Sequence, residues 1–333
     1  MSEKTLLVAL NNGIPRIAAP LVCGDISGPG SLLGEEAPIP RPLRPVLPNE
    51  FAISPPLKAS PHTKRSYESE LAQNAVVLWE EGSANKAHAV EATTFLAGAC
   101  SSALDLAWHL AEIQALFDWG SVLCTEQKQG RGQMRRAWHS PRGNMYAAFL
   151  LPKCPAFDHA GASVALGYLI SKSLQNMGFT VQLKWPNDIL THTCQKIGGI
   201  LLEERNGQLM AGLGINLEEA PSRTLLRDTT ALPATVLPIA AKNDVPDAYF
   251  TPFGLWQGLV KNMQQEYSVT IAHSSPNTVF ALADKVLAYK GAPCACPEER
   301  VEGRCLGLGP DGGLVIQTVT GHVEIFSGSV VYS

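Results

Sequence analysis

Apolar side chains recur at helical spacing in "SSALDLAWHLAEIQALF", where Leu104, Ala107, Leu110, Ala111, Ile113 and Leu116 share one face. Ser101 or Ser102 can cap its start, so the pattern predicts a helix over residues 101–117. The pattern then changes: "NMYAAFLLP", Asn144 to Pro152, is an unbroken apolar run of strand length. Helical spacing returns in "HAGASVALGYLISKSLQNMGF" and stops at Gly178, a residue suited to ending a helix. Three short strand-like runs follow, "TVQLKW" from Thr180, "KIGGILLEE" from Lys196 and "QLMAGLGINL" from Gln208. The last two flank Arg205-Asn206-Gly207, a hairpin signal because Asn-Gly accepts positive φ. A proline-bearing linker, roughly Glu218 to Pro252, leads to a further amphipathic helix, "GLWQGLVKNMQQEYSV". Beyond Lys285 short runs broken by Gly and Pro predict a small antiparallel β-domain.

The first 91 residues have a different texture. From Glu35 to Arg65 proline is too dense for long helices or interior strands. This reads as an extended, partly disordered extension, without the recognition helix that a DNA-binding domain needs. The expected layout is an extension over 1–91, a mixed sheet-and-helix domain over 92–272 and a small β-domain over 280–333, an α+β fold. With 45% hydrophobic and 17% charged residues, the 333-residue chain can bury a sizeable core. A formal charge of −4 argues against a general nucleic-acid binder. No run reaches the length of a membrane span, and the N-terminal apolar run is too weak for a signal core, so the expected location is cytoplasmic. Eight scattered cysteines suit reduced thiols. His192 with Cys194, and Cys294 with Cys296, lack the companion CxxC of a zinc site.

The chemistry gathers in a few stretches. There is no GxxxxGK[ST], HExxH or GxSxG, and the GxGxxG string in "GLGPDG", Gly307 to Gly312, sits among C-terminal strands where Pro-Asp-Gly makes a turn. "TEQKQGRGQMRRAWHSPRG", Thr125 to Gly143, packs three glycines and five cationic side chains into one loop. Glycines 130 and 132 allow close backbone approach to a phosphate, and Arg131, Arg135 and Arg136 offer planar donors to anionic oxygens. A solvated charged loop is the plain alternative. "KWPND", Lys184 to Asp188, places a lysine at a strand end beside Asn and Asp, and "KIGGILLE" sets Lys196 before two glycines.

Taken together, GRG…W.SP, KWPND, KIGGILLE and the "GLGIN" of Gly212 to Asn216 resemble the catalytic domain of biotin protein ligases. The tail ending "FSGSV" is similar to that family's small C-terminal barrel, of Src-homology-3 type. The resemblance covers about residue 95 to the end. It implies that biotin and MgATP form biotinoyl-AMP, from which a lysine of a biotin carboxyl carrier protein takes the biotin. It also implies residue roles. Lys196 would be the cation bridging carboxylate and α-phosphate, with Arg131 and Asp188 also catalytic. Ser102, Gln127, Gly130, Arg131, Lys196, Gly199 and Gly212 would meet biotin. Arg131, Gln133, Arg135, Arg136, Trp138, Lys184, Asn187 and Asn216 would meet the nucleotide, with Asp188 helping to order Mg²⁺. The carrier would belong to acetyl-CoA carboxylase or a related enzyme, and the protein would act as a monomer or homodimer, away from DNA and membranes.

The chain departs from the family pattern at three positions. Gln133 stands where an arginine is expected, Arg135 where glycine is expected, and Ala103 where a hydroxyl is expected before the first helix. A lipoate or octanoyl ligase is the alternative on the same broad fold, although such relatives lack the GRG…W.SP loop. A catalytically weakened biotin-binding relative is the other.

Overall fold

The computed structural model describes residues 7–11, 14–16, 93–112, 114–222, 232–238 and 245–332. Its first sheet is built from β1 (Leu7–Asn11), β2 (Ile14–Arg16), β3 (Thr94–Cys100), β4 (Ser121–Gln127) and β5 (Met145–Leu150). It is completed by β6 (Val181–Lys184), β7 (Asp188–Thr191), β8 (Lys196–Arg205) and β9 (Gln208–Ile215). The nine strands lie in the order β2-β1-β3-β4-β5-β9-β8-β7-β6. Only β3 and β4 run parallel, because the helix α1 (Ala103–Glu112) crosses between them; the other neighbours are antiparallel.

Alternation along the strands separates two cores. Phe95, Ala97, Val122, Cys124, Tyr146 and Ala148 meet Leu104, Ala107, Leu110 and Ala111 of α1. The intervening Leu96, Leu123, Ala147 and Phe149 face the opposite core, under α2 (Ala162–Asn176) and α3 (Pro252–Glu266). A period of two with both faces covered makes a central sheet buried on each side.

The helices follow the apolar spacing, with ends set by local chemistry. Helix α1 stops at Glu112, short of the expected end, because Gln114 takes φ +58° and the chain folds back with Ala115 N–H donating to Leu110 O at 2.8 Å. Leu116 remains buried, while Ile113 lies outside the described residues. Gly178, at φ +95°, follows α2 as expected. Helix α3 begins at Pro252, with Thr251 Oγ1 accepting from Gly254 N–H at 3.1 Å, and runs on into a π-helical turn, Tyr267–Ile271. The Asn-Gly hairpin forms between β8 and β9, with Asn206 at φ +51° and Gly207 at φ +72°.

A short helix, α4 (Pro276–Ala283), precedes a five-stranded antiparallel sheet of β10 (Pro293–Cys296), β11 (Val301–Leu308), β12 (Leu314–Thr318), β13 (Gly321–Ile325) and β14 (Val331–Tyr332). The order is β13-β12-β11-β10-β14, as expected for a small antiparallel domain. "GLGPDG" is the β11–β12 hairpin, with Gly309 N–H donating to Gly313 O at 2.9 Å. Trp185 of the KWPND turn is buried and donates from Nε1 to Gly312 O at 3.1 Å, tying the two sheets together.

The extension is not wholly separate from the sheet. Strand β1 pairs antiparallel with β3, in the register Leu7↔Ala97, and β2 pairs with β1. The apolar "LLVAL" with a following Asn-Asn-Gly is hairpin chemistry, a signal that the proline-rich texture of the extension obscures. The proline-rich Glu35 to Arg65 lies outside the described residues. Among the described residues no helix is long and apolar enough to cross a membrane.

Candidate active site

A cleft of about 870 Å³ opens where the Gly130–Trp138 loop, the β6–β7 turn, the first half of β8, the second half of β9 and the end of the C-terminal sheet converge. That volume suits a ligand of a few hundred daltons.

The loop closes on itself. Trp138 N–H donates to Gly130 O and Gly132 N–H to Arg136 O, both at 2.8 Å, around a bridge between Arg131 and Ala137. Gln133–Arg135 forms a 3-10 turn in which Met134 takes φ +55°. Lys128 and Gln129 N–H donate to Cys100 O and Ser101 O, fastening the loop to the strand that leads into α1. A Cβ on Gly130 would stand 2.5 Å from Ser140 Oγ and 2.6 Å from Trp138 O, so the loop base needs glycine. Gly132 spends its amide inside the loop instead of aiming it at a ligand.

One end of the cleft is an apolar slot with a few fixed polar groups. Trp138 lies over both glycine-bearing strands: a Cβ on Gly214 would stand 2.7 Å from its Nε1 and one on Gly199 would stand 3.1 Å from Cζ3. Its Nε1 is buried against Gly214 without a hydrogen-bond partner. Leu104 packs on Gly212. Gln127 is held at both ends, accepting from Ala103 N–H at 2.9 Å and donating to Ser140 Oγ at 2.9 Å. Ser102 is buried, and its Oγ accepts from Arg131 Nη1 at 3.2 Å.

The other end is charged. Asp188, at the start of β7, accepts Lys196 Nζ at 2.5 Å and lies 3.6 Å from Lys184 Nζ. Burial opposes the Asp188 charge, but Lys196 and Lys184 outweigh it and hold the carboxyl below the usual range. Lys184 is pushed the other way: burial lowers its pKa, Asp188 restores part, and Lys196 and Arg136 lower it further. Lys196 Nζ also stands 5.2 Å from the centre of the Trp138 ring. Arg136 reaches across to the C-terminal sheet, donating from Nη2 to Ser329 Oγ at 2.9 Å, and Ser329 N–H donates to Glu298 at 3.3 Å.

The expected site residues therefore converge, although several have other tasks. Ser102, Gln127, Arg131, Gln133 and Arg136 line the cleft with Trp138, Lys184, Asn187 and Asp188. Lys196, Gly199, Gly212 and Asn216 line it too. Asn187 donates to Ile200 O at 2.7 Å and Asn216 to Thr235 O at 3.1 Å, so both side-chain amides brace backbone. The Arg131 guanidinium is committed to Asp105 and Glu203, at 2.8 and 2.9 Å. Arg135 is the last residue of the 3-10 turn, which Arg136 N–H closes onto Gln133 O at 3.2 Å. Sequence reasoning did not single out Asp105, Ser140, Glu203, Glu298, Ser329 or Tyr332. Glu203 closes the quoted KIGGILLE and Ser329 lies in FSGSV, but their partners are distant in sequence. Among the described residues no cluster of three or more His, Cys, Asp or Glu could hold a metal.

Comparison with known proteins places this arrangement. Residues 103–218 match the model of the Biotin/lipoate A/B protein ligase family. Several proteins similar to it are named as biotin ligases. It is 25% identical over 218 residues to the Bifunctional ligase/repressor BirA of Bacillus subtilis, covering 63% of this chain and 65% of that protein. It is 31% identical over 124 residues to the Biotin--[acetyl-CoA-carboxylase] ligase of Paracoccus denitrificans, covering 34% of this chain and 51% of that one. The matches thus span less than two thirds of these relatives. The biotin protein ligase from Aquifex aeolicus, solved in complex with biotin and ATP, superposes with a TM-score of 0.58 at 26% identity, covering 72% of this chain and 99% of that one.

Proposed function

We propose that the chain is a biotin protein ligase. The biotin carboxylate attacks the α-phosphorus of ATP, the bond to pyrophosphate breaks, and biotinoyl-AMP stays in the cleft. The amine of a carrier lysine then attacks the acyl carbon and AMP leaves. The observation that carries this reading is the juxtaposition, in one cleft, of an apolar wall made by Trp138 packed on Gly199 and Gly214 with a lysine pair held on Asp188. The slot suits an apolar ring system that needs a few hydrogen bonds. The lysines suit two anions that must approach each other, and they gain most where water is scarce.

Lys196 stands at the junction, beside the Trp138 ring and on Asp188, and so neutralises both reacting groups. Lys184 and Arg136 add charge on the phosphate side. Mg²⁺ would arrive with ATP and rest mainly on phosphate oxygens; of the cleft-lining residues only Asp188 and Glu298 are carboxylates. The carrier would be the biotin domain of a carboxylase such as acetyl-CoA carboxylase.

Pyrophosphate release in MgATP separates the readings. Biotin-dependent release, absent with lipoate and lost in Lys196→Ala, is expected. Release with lipoate instead would favour the lipoate alternative. Binding of biotin without any release would favour a weakened relative.

A further inference from the structure

Arg131 looks like a phosphate ligand in sequence, yet every nitrogen of its guanidinium already has a partner within the protein. Nη1 meets Asp105 Oδ1 at 2.8 Å and Ser102 Oγ at 3.2 Å. Nη2 and Nε both meet Glu203 Oε1 at 2.9 Å. Glu203 is itself fixed, accepting Trp108 Nε1 on its other oxygen at 2.8 Å, with Arg205 at 3.4 Å. Arg205 in turn lies 4.7 Å from the Trp108 ring.

Three elements meet here: the first turn of α1 through Asp105, β8 through Glu203, and the loop through Arg131. The side chains of Arg131 and Glu203 are 27% and 22% exposed, so this contact is largely withdrawn from water. The withdrawal strengthens this guanidinium–carboxylate contact, in which two N–H groups share one oxygen, relative to a surface pair. Burial opposes the Arg131 charge, but its bonds to Glu203 and the nearby Asp105 raise its pKa all the same.

We propose that Asp105 and Glu203 are positioning residues that staple the base of the Gly130–Trp138 loop, through Arg131, over the acyl slot. Arg131 is then the pin of a cover and not a ligand of phosphate. Its contact with Ser102 extends the staple to a hydroxyl that lines the slot, so loop position and slot shape are set together. The consequence for function rests on the ligase reading; the staple itself does not.

The test uses Glu203→Gln and Asp105→Asn in the full chain. Each variant keeps an oxygen acceptor, so Trp108 Nε1 retains a partner in the first of them. Two readouts are taken: trypsin cleavage within residues 128–136 of the ligand-free protein, and biotinoyl-AMP release after formation with biotin and MgATP. The staple predicts cleavage about tenfold faster in Glu203→Gln, the order expected on losing a charge-assisted contact. It also predicts faster adenylate release with little change in the ATP KM, and a double variant that adds little to either single one. Melting temperatures show whether each variant folds, and Arg131→Lys, which keeps charge but loses the fork, is a second route to the same opening.

Unchanged cleavage in folded Glu203→Gln and Asp105→Asn overturns the proposal. So does a raised ATP KM in Arg131→Lys with no effect of either acidic variant, the signature of a phosphate ligand. Faster cleavage in a protein whose wild type makes no adenylate would uphold the staple and remove the ligase reading instead.

Discussion

Replacing Asp188 by asparagine removes the carboxylate that, among the described residues, pairs with both Lys184 and Lys196, while keeping size and shape. The side chains of the three residues are 15%, 11% and 27% exposed, so Lys184 is left charged and nearly buried beside a like charge. Removing one partner of a buried pair costs about 3–5 kcal/mol. Lys196 can turn toward water and Lys184 can shed its proton, which brings the expected loss to about 2–3 kcal/mol at pH 7. For a folded region of this size that lowers the melting temperature by roughly 5–10 °C.

The pH dependence distinguishes this from a generic defect. Lys184 has a folded pKa below its ordinary value, so its charge costs stability at neutral pH and the cost is released as pH rises through the folded pKa. In Asp188→Asn that pKa falls further, and release begins sooner. The deficit against wild type therefore shrinks between pH 7 and about 10, near the unperturbed lysine pKa. At the acid end Asp188, whose folded pKa lies below the usual carboxylate value, contributes stability that wild type loses as pH falls through that folded pKa. Thermal melts at pH 7 and 9.5 provide the check. A deficit of equal size at both, or none at pH 7, refutes the account of Asp188 as the counter-charge of a buried lysine.

Two further outcomes are expected. Gln133→Arg should slow release of biotinoyl-AMP, since a guanidinium supplies the charge-assisted pairing that an amide lacks; equal release from both proteins sinks the idea. Gly214→Ala should weaken biotin binding about tenfold or more by pushing against the buried Trp138 edge, 2.7 Å from the new Cβ, with ATP binding nearly unchanged; titration calorimetry of each ligand decides.

The readable features of this chain were local ones. Gly178 after α2, the Asn206-Gly207 hairpin and the lysines opening β8 and closing β6 follow from spacing and turn chemistry within a few residues. The missed elements lacked such a signature. Strand β4, "SVLCTEQ", is buried on both faces over most of its length, so no alternation marks it, and β7 is four residues long. The candidate site was legible as residue types at spacings, but not as assignments. Arg131 and Arg136 read alike in sequence; one turns to acids far from it on either side, Asp105 before it and Glu203 after it, and the other meets Ser329, 193 positions on. Asn187 and Asn216 read as ligands, yet their amides satisfy backbone carbonyls that the neighbouring segments leave open.

That division of labour explains how the loop tolerates Gln133. If Arg131 holds the cover and Arg136 is shared with Ser329, the positive charge at the reacting end comes mainly from Lys184 and Lys196, which stand on sheet strands and need no loop closure to be in place. Affinity for the anionic intermediate then rests on the sheet, and its lifetime on the cover. The two contributions respond differently to ionic strength. A change of charge at the ligand, as in Gln133→Arg, is screened by salt, whereas release governed by an opened loop, as in Glu203→Gln, is much less so. Adenylate release measured at low and high salt in both variants therefore separates charge from cover, and a common salt dependence would show that the loop acts by charge alone.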